Sequence, residues 1–257
     1  MSPILAGTLG SLLAGMATAL GAIPLLLAPG LARRFNNAAL GFAAGIMLSA
    51  SFLSLMLPAL EHAGEDYGGA WAASLVVGLG LLLGGGAVWL ANETLPHEHF
   101  LTGPEGASTE SLRRIWLFVF AITLHNFPEG LAVGVGYGGG DFARGNALAI
   151  GIGLQNVAEG MAVAVALAAQ GYSRRKAIGI SALSGLVEPI GGVIGVTAVT
   201  LSGMLLPWGL AFAAGAMIFV ISHEIIPETH RERGQGEATA GLMIGVVAMM
   251  ALDHALG

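Results

Sequence analysis

The chain has 257 residues, of which 55 % are hydrophobic and 10 % are charged, and its mean hydropathy is +0.78. This balance excludes an ordinary soluble domain, in which about a quarter of the residues are charged. The formal net charge of −6 excludes a basic surface for nucleic acid, and the absence of cysteine excludes disulfides and thiolate metal sites. A metal ion bound here would have to use nitrogen and oxygen ligands.

Eight apolar segments follow one another along the chain, and each is long enough for a membrane-spanning helix, which takes about twenty residues. They cover residues 4–27, 39–60, 69–91, 115–138, 147–169, 177–201, 206–226 and 238–256. We therefore predict an all-α polytopic membrane protein with eight transmembrane helices in a single domain, 1–257. No basic residue precedes the first segment, so we expect it to be span one rather than a removable signal peptide.

The basic residues predict the orientation of these spans. Nine of the ten Lys and Arg residues lie in the loops that follow spans one, three, five and seven. Cytoplasmic loops carry the excess of Lys and Arg, so these loops are predicted to be cytoplasmic and both termini to lie outside. The longest of them, at about 92–114, lacks helical periodicity and is predicted to be a mobile loop.

A repeated sequence relates span two to span seven. FAAGIM begins at Phe42 and FAAGAM at Phe212, and the segments that follow end in LPALEH (57–62) and IPETH (226–230). Span two leaves the cytoplasm whereas span seven enters it, so the two units would have inverted topology, as in many secondary transporters. This pattern favours a 3+2+3 arrangement with spans four and five between the repeats. The alternative is chance similarity between two Ala/Gly-rich helices.

Glycines spaced four residues apart occur in several spans. The pairs are Gly41/Gly45, Gly80/Gly84, Gly130/Gly134 and Gly241/Gly245. Small residues at this spacing allow two membrane helices to approach closely. The pattern predicts tight helix packing and is not specific to one function.

Spans four, five and six carry polar groups close to the middle of the membrane. HNFPEG (125–130) lies in span four, QNVAEG (155–160) in span five, and Glu188 in span six. A helix rises about 1.5 Å per residue, so each of these polar groups begins on the order of 12 to 17 Å from the start of its span. This distance is about half of a ~30 Å hydrocarbon core. Three helices therefore bring polar side chains to one depth.

The three carboxylates at this depth, Glu129, Glu159 and Glu188, need a compensating charge. Each ionised carboxylate left alone in hydrocarbon would cost several kcal/mol, and no Lys or Arg lies inside any predicted span. The compensation must come from protonation or from a bound cation.

The neighbouring residue types favour a cation. Within each motif the i,i+3 and i,i+4 spacings place the amides, and the imidazole of span four, on the same helix face as the glutamate. Imidazole, amide and carboxylate groups suit Zn²⁺ and also accept Fe²⁺, Mn²⁺, Co²⁺ or Cd²⁺, whereas a proton relay has little use for amides. Pro128 and Pro189 allow breaks in the helices at this site. The predicted metal ligands are His125, Asn126, Glu129, Gln155, Asn156, Glu159 and Glu188. The alternative for any one of these residues is a structural role, in which its side chain forms a hydrogen bond to a neighbouring helix.

Three further polar clusters lie nearer the membrane surfaces. They are a candidate exit in span seven (His223, Glu224 and Glu228), candidate loop ligands (His97 and His99), and a candidate entrance on an acidic outer rim (Glu61 and His62, with Glu65, Asp66, Asp253 and His254 nearby). Such a rim can concentrate cations. The alternative for all three is an ordinary solvated helix end or loop.

These motifs together resemble the ZIP (Zrt/Irt-like protein) family of divalent-metal transporters, and most closely its bacterial GufA-type members. The resemblance covers nearly the whole chain. It implies metal influx across the bacterial inner membrane, a homodimer in membrane lipid, and a transport bundle of spans one, four, five and six that slides against a scaffold. It also implies a main site of His125, Glu129, Gln155, Glu159 and Glu188, and a second site formed by Asn126 and Asn156 with the bridging glutamates.

The chain departs from the family pattern at two positions. Many members have a second His where Gln155 stands, and close bacterial relatives have an Asp where Asn156 stands. With Asn156, the paired sites hold three formal negative charges against the four positive charges of two divalent ions. We therefore predict that one metal binds well and a second binds weakly.

Other functions were weighed against metal transport. An intramembrane metalloprotease would need HExxH, and the HE at His223 is followed by Pro227 where the second His should stand, so no enzyme is expected. A proton-coupled carrier of a small organic solute would need a roomier aromatic or basic pocket. A divalent-cation channel would use weak sequential sites. We expect no cofactor, and zinc as the leading candidate substrate.

Overall fold

The computed structural model describes residues 1–94, 97–99, 103–105, 114–169, 172–230 and 234–256. Side chains are described for these residues apart from 97–99, 103–105, 114–125, 169, 228 and 230. The described chain is almost entirely helical. The predicted all-α class is therefore confirmed for this part of the protein.

Eight helical segments follow one another. They are α1 (Pro3–Leu27), α2 (Pro29–Tyr67), α3 (Ala70–Thr94), α4 (Arg114–Gly138), α5 (Phe142–Ala169), α6 (Arg174–Leu201), α7 (Gly203–Ile225, continued by Ile226–His230) and α8 (Gln235–Leu256). In the described part of the chain, seven of them (α1, α2, α3, α5, α6, α7 and α8) are found to be long and apolar enough to span a membrane. Two short antiparallel strands, β1 (His97–His99) and β2 (Gly103–Glu105), lie between α3 and α4. The segment predicted as a loop at 92–114 thus begins inside α3 and contains a hairpin.

Three helices contain short breaks. In α1, Ile23 separates Pro3–Ala22 from Pro24–Leu27, and α7 opens with a 3₁₀ turn at Gly203–Leu205 before Leu206–Val220. In α6, a 3₁₀ turn at Gly185–Val187 separates Arg174–Ser184 from Glu188–Leu201. Because Pro189 has no N–H, the Gly185 carbonyl accepts from Glu188 instead. This break places Glu188 at the start of a new helical segment.

Helices α2 and α7 each contain a wide π-helical turn. In α2 it covers Ala50–Met56 between Pro29–Ser49 and Leu57–Tyr67, and in α7 it covers Ile221–Ile225. The Leu57 N–H donates to Phe52 and the Ile226 N–H donates to Ile221, five residues back in each case. A proline, Pro58 or Pro227, stands two residues after the end of each wide turn. Such turns are frequent at functional sites.

One group of helices, the bundle (α1, α4, α5 and α6), is interlocked through glycines. A Cβ on Gly160 of α5 would overlap the Thr18 carbonyl of α1, and a Cβ on Gly130 of α4 would overlap the Glu188 carbonyl of α6. Gly15 of α1 and Gly185 of α6 face each other in the same way. Side chains are absent at these positions because the backbones are in contact.

The remaining helices, the scaffold (α2, α3, α7 and α8), pack as two pairs. Gly45 and Gly245 bring α2 against α8, and Gly84 and Gly215 bring α3 against α7. All four predicted glycine pairs thus lie at close helix contacts, which confirms the packing prediction. Fully buried apolar side chains then fill the space between the scaffold and α5, among them Met47, Leu148, Ile152 and Met217.

Candidate metal site

Three neighbouring helices of the bundle bury six polar side chains near their middles. Helix α4 contributes Asn126 and Glu129, α5 contributes Gln155, Asn156 and Glu159, and α6 contributes Glu188; none is more than 9 % exposed. The side chain of His125, the seventh predicted ligand, lies outside those that the structure describes. The sequence motifs therefore mark buried positions on helices that pack against one another.

Asn156 links three helices. Its Nδ2 donates to the Ala14 carbonyl of α1 over 2.9 Å and to Glu188 Oε1 of α6 over 2.8 Å. Sequence reasoning missed Ala14, because a backbone carbonyl in an Ala/Gly-rich helix carries no signal in the side-chain pattern. The link fixes the direction of the Glu188 carboxylate.

The three carboxylates of the site interact with one another. Glu129 is fully buried and interacts electrostatically with Glu159 and with Glu188. The Gln155 side chain also lies close to the Glu129 carboxylate, although the two do not reach hydrogen-bond geometry. Like charges held this close in a buried site repel strongly. The arrangement is therefore stabilised by any group that brings positive charge.

Within the described part of the chain, several buried acceptor atoms of this cluster have no hydrogen-bond donor. They are both carboxylate oxygens of Glu129, Oε2 of Glu188, Oε1 of Gln155 and Oδ1 of Asn156. An unsatisfied buried polar atom costs about 1–3 kcal/mol, so native proteins contain few of them. A divalent cation with oxygen ligands would satisfy these atoms together. Their chemistry fits a borderline or hard metal ion.

The ligand set is not closed around one point in this conformation. Among the side chains described, no three of His, Asp and Glu lie close enough together to hold a metal ion. The described part of the site thus consists of three interacting carboxylates and three amides. The His125 imidazole, which lies outside the described side chains, is the third type of ligand in the predicted set.

The described residues of the candidate exit cluster differ in burial. Glu224 is buried, whereas the adjacent His223 is exposed and its ring stacks on Phe219 with the centroids 4.9 Å apart. The side chain of Glu228 lies outside the described part, so its predicted stacking on Glu224 stays a prediction. Neighbouring residues on a helix point in different directions, so one of the two adjacent residues is buried and the other is exposed.

At the end of the molecule that carries the predicted rim, a hydrogen bond joins two scaffold helices. The fully buried Ser54 of α2 donates to Asp253 Oδ1 of α8 over 2.6 Å. Asp253 belongs to the predicted rim, and Ser54 was missed because the wide turn in α2 decides where it points. Glu61 is exposed and His62 is half-buried, and their role as an entrance stays a prediction. His97 and His99 belong to β1, and their side chains lie outside the described ones.

The fold and the buried acidic cluster are those of a polytopic helical membrane protein with ionisable side chains in its interior. Residues 97–253 match the family model described as ZIP Zinc transporter. The chain is 47 % identical over 253 residues to the zinc transporter GufA of Myxococcus xanthus, covering 98 % of this chain and 99 % of that one. It is 47 % identical over 241 residues to the zinc transporter ZIPB of Bordetella bronchiseptica, covering 94 % and 78 %.

A more distant relative is the zinc transporter ZIP11 of Xenopus tropicalis, at 34 % identity over 332 aligned positions that cover 100 % of this chain and 98 % of the relative. The chain therefore belongs to the ZIP zinc transporter family and is an integral membrane protein. This confirms the predicted resemblance to the ZIP family.

Proposed function

We propose that this protein carries Zn²⁺, or a related divalent metal ion, into the cytoplasm by alternating access through the buried cluster on α4, α5 and α6. The observation that carries the proposal is the set of buried acceptor oxygens without donors, which a cation would satisfy. Three relatives aligned over nearly all of this chain are named zinc transporters. Zinc accepts imidazole, amide and carboxylate ligands together.

The proposed transport site uses each ligand in a stated role. Glu129, Glu159 and Glu188 supply the negative charge, and His125 supplies a nitrogen ligand. The amide oxygens of Asn126, Gln155 and Asn156 complete the coordination. Iron, manganese, cobalt and cadmium share enough of this ligand preference to be secondary substrates.

The packing supports a 3+2+3 arrangement with an inverted repeat. Gly45 of α2 meets the Leu242 carbonyl of α8, and Gly215 of α7, 170 residues later, meets the Leu81 carbonyl of α3. The inverted repeat would relate α1 to α6 and α5 to α4. The contact of α1 with α5 then corresponds to the contact of α6 with α4, and both are made through glycines. The wide turns of α2 and α7 also occupy matching places before Pro58 and Pro227. Eight spans, α4 included, account for these relations.

Every proposed ligand of the main site belongs to the bundle. In a sliding mechanism the metal would therefore travel with the bundle while the scaffold stays in place. On α5, the fully buried Ile152 and Leu148 lie about one and two turns before Gln155, and they pack among the scaffold residues Met47 and Met217. With the orientation given by the basic loops, this apolar contact closes the path from the site to the outside.

The remaining features extend the proposal to the whole molecule. The cytoplasmic loops follow α1, α3, α5 and α7, both termini are outside, and the membrane is the bacterial inner membrane. Glu224 would receive the ion on its way to the cytoplasm. A homodimer is proposed from the family resemblance.

Metal entry into proteoliposomes loaded with a metal-sensitive dye tests the proposal. The comparison is between the unmodified protein, Glu159→Ala in the site, and Glu93→Ala, which removes an exposed carboxylate at the end of α3. We expect saturable Zn²⁺ and Cd²⁺ entry that Glu159→Ala abolishes and Glu93→Ala retains. No entry above empty liposomes for the folded protein would favour the organic-solute carrier. Entry that rises without saturation would favour a channel.

A further inference from the structure

The Asn156 amide uses both of its N–H groups in this structure. One hydrogen goes to the Ala14 carbonyl and the other to Glu188 Oε1. A side-chain amide has only two N–H donors, so none remains. Its oxygen Oδ1 is buried and has no hydrogen-bond partner. Asn156 therefore presents one acceptor atom to the site and donors everywhere else.

The Asn156 N–H that donates to Glu188 occupies the position that a second cation would need. A metal ion bridging residue 156 and Glu188 would need Oε1, which the amide hydrogen already occupies at a donor–acceptor distance of 2.8 Å. Hydrogen bonds to a carboxylate are charge-assisted and stronger than neutral ones. The partial positive charge of the N–H would also repel a cation beside it.

The formal charge of the site is unbalanced by one unit whether one or two divalent ions bind, and the hydrogen bonds of Asn156 add to the charge count. The carboxylates Glu129, Glu159 and Glu188 carry three formal negative charges. One divalent ion leaves one negative charge, and two ions leave one positive charge. The partial positive charge of the N–H that donates to Glu188 offsets the negative charge left with one ion. It adds to the positive charge left with two ions, so the hydrogen bond favours a single ion.

We propose that the Asn156 amide takes the place of a second metal ion, so that the transport site holds one divalent ion and the bundle stays assembled when the site is empty. The inference rests on the proposed function for the identity of the ligand. The same hydrogen bonds join α1, α5 and α6 through protein atoms alone. Gly15 and Gly185 bring the α1 and α6 backbones together beside this link, which keeps the Ala14 carbonyl within reach.

Metal stoichiometry tests the first half of the proposal. Purified, metal-free protein is titrated with Zn²⁺, and bound metal per chain is measured by native mass spectrometry. We expect one ion for the unmodified protein, one for Asn156→Leu, which removes the amide without adding charge, and two for Asn156→Asp. Two tightly bound ions in the unmodified protein would overturn the inference and leave the proposed function standing. No bound ion in any folded variant would overturn both.

Thermal unfolding of the metal-free protein tests the second half. Losing the two hydrogen bonds in Asn156→Leu should lower Tm by about 5 °C. The matched control is Asn126→Leu, because Asn126 is equally buried on α4 and its Nδ2 makes no hydrogen bond. We expect a clearly smaller decrease in Tm for the control. Equal decreases would show that the Asn156 link does not hold the bundle together.

Discussion

The bundle and the scaffold bury different side chains. Five of the buried polar side chains in the middle of the bundle are Glu129, Gln155, Asn156, Glu159 and Glu188. Among the scaffold side chains that the structure describes, the one buried carboxylate is Glu224, toward the proposed cytoplasmic end of α7. Both groups use the same glycine contacts, so packing alone does not distinguish them. The difference lies in where buried carboxylate and amide oxygens collect, and it is the reason that we propose ion binding in the bundle.

Removing a bundle carboxylate should have the largest effect. Glu129→Gln keeps the shape of the side chain and removes a charge that interacts with both other carboxylates. We expect Zn²⁺ entry into proteoliposomes to fall by about a hundredfold or more, beyond the loss typical of groups that only orient a metal ligand. Glu93→Gln, at an exposed position, is the control. Retained transport in Glu129→Gln would move the site away from α4.

Glycine substitutions separate metal binding from stability. A Cβ in Gly130→Ala would overlap the Glu188 carbonyl within the bundle, and one in Gly84→Ala would overlap the Phe212 carbonyl within the scaffold. Both should lower the free energy of unfolding by about 1–3 kcal/mol through overpacking. We expect Gly130→Ala alone to weaken zinc affinity as well.

Gly86→Ala provides the control for these two variants, since a Cβ there has nothing within 4 Å. It should leave both unfolding, followed by thermal denaturation, and zinc binding unchanged. If Gly84→Ala weakened zinc binding as much as Gly130→Ala, the separation of bundle and scaffold would be wrong.

Removing the hydrogen bond between Ser54 and Asp253 should have a moderate effect on transport. Ser54→Ala removes the 2.6 Å contact with Asp253 and leaves the bundle ligands in place. We expect the rate at low Zn²⁺ to fall roughly threefold to tenfold, as for the loss of a single hydrogen bond to a charged group, with the bound stoichiometry unchanged. The measurement is initial uptake against zinc concentration. A change in stoichiometry would connect Ser54 to the main site and contradict this assignment.

Of the changes proposed, the one at His223 should have the smallest effect on transport, in contrast to the change at the adjacent Glu224. His223 is exposed and stacked on Phe219, whereas Glu224 is buried. His223→Ala should change transport by less than about twofold, because exposed substitutions have little effect, and Glu224→Gln should slow release of the ion. Single-turnover release from preloaded protein distinguishes the two. A larger effect of His223→Ala would place the exit on the exposed face.

Much of this arrangement could be predicted from the sequence. The long apolar segments mark the helices, and the glycine pairs mark their contacts, because hydrocarbon solvent leaves few other ways to build a helix bundle. The i,i+3 and i,i+4 spacings in span five group Gln155, Asn156 and Glu159 correctly as buried positions. These features depend on local periodicity, which the sequence contains directly.

Other features depend on contacts that no residue pattern contains. The Ala14 carbonyl becomes a partner of Asn156 only because α1 approaches α5 and α6 closely. Ser54 lies in a wide turn, in which regular helical spacing no longer holds. A proline after each wide turn is the only local signal, and by itself a proline does not distinguish a wide turn from a kink.

Anomalous diffraction from crystals soaked in Cd²⁺ or Zn²⁺ tests the central claim most directly, because it locates the ion without reference to transport. The account predicts a strong peak among the side chains of Glu129, Glu159 and Glu188, inside the bundle. Peaks confined to the outer rim at Glu61 and His62, or to Glu224 alone, with no density inside the bundle at saturating metal, would contradict it.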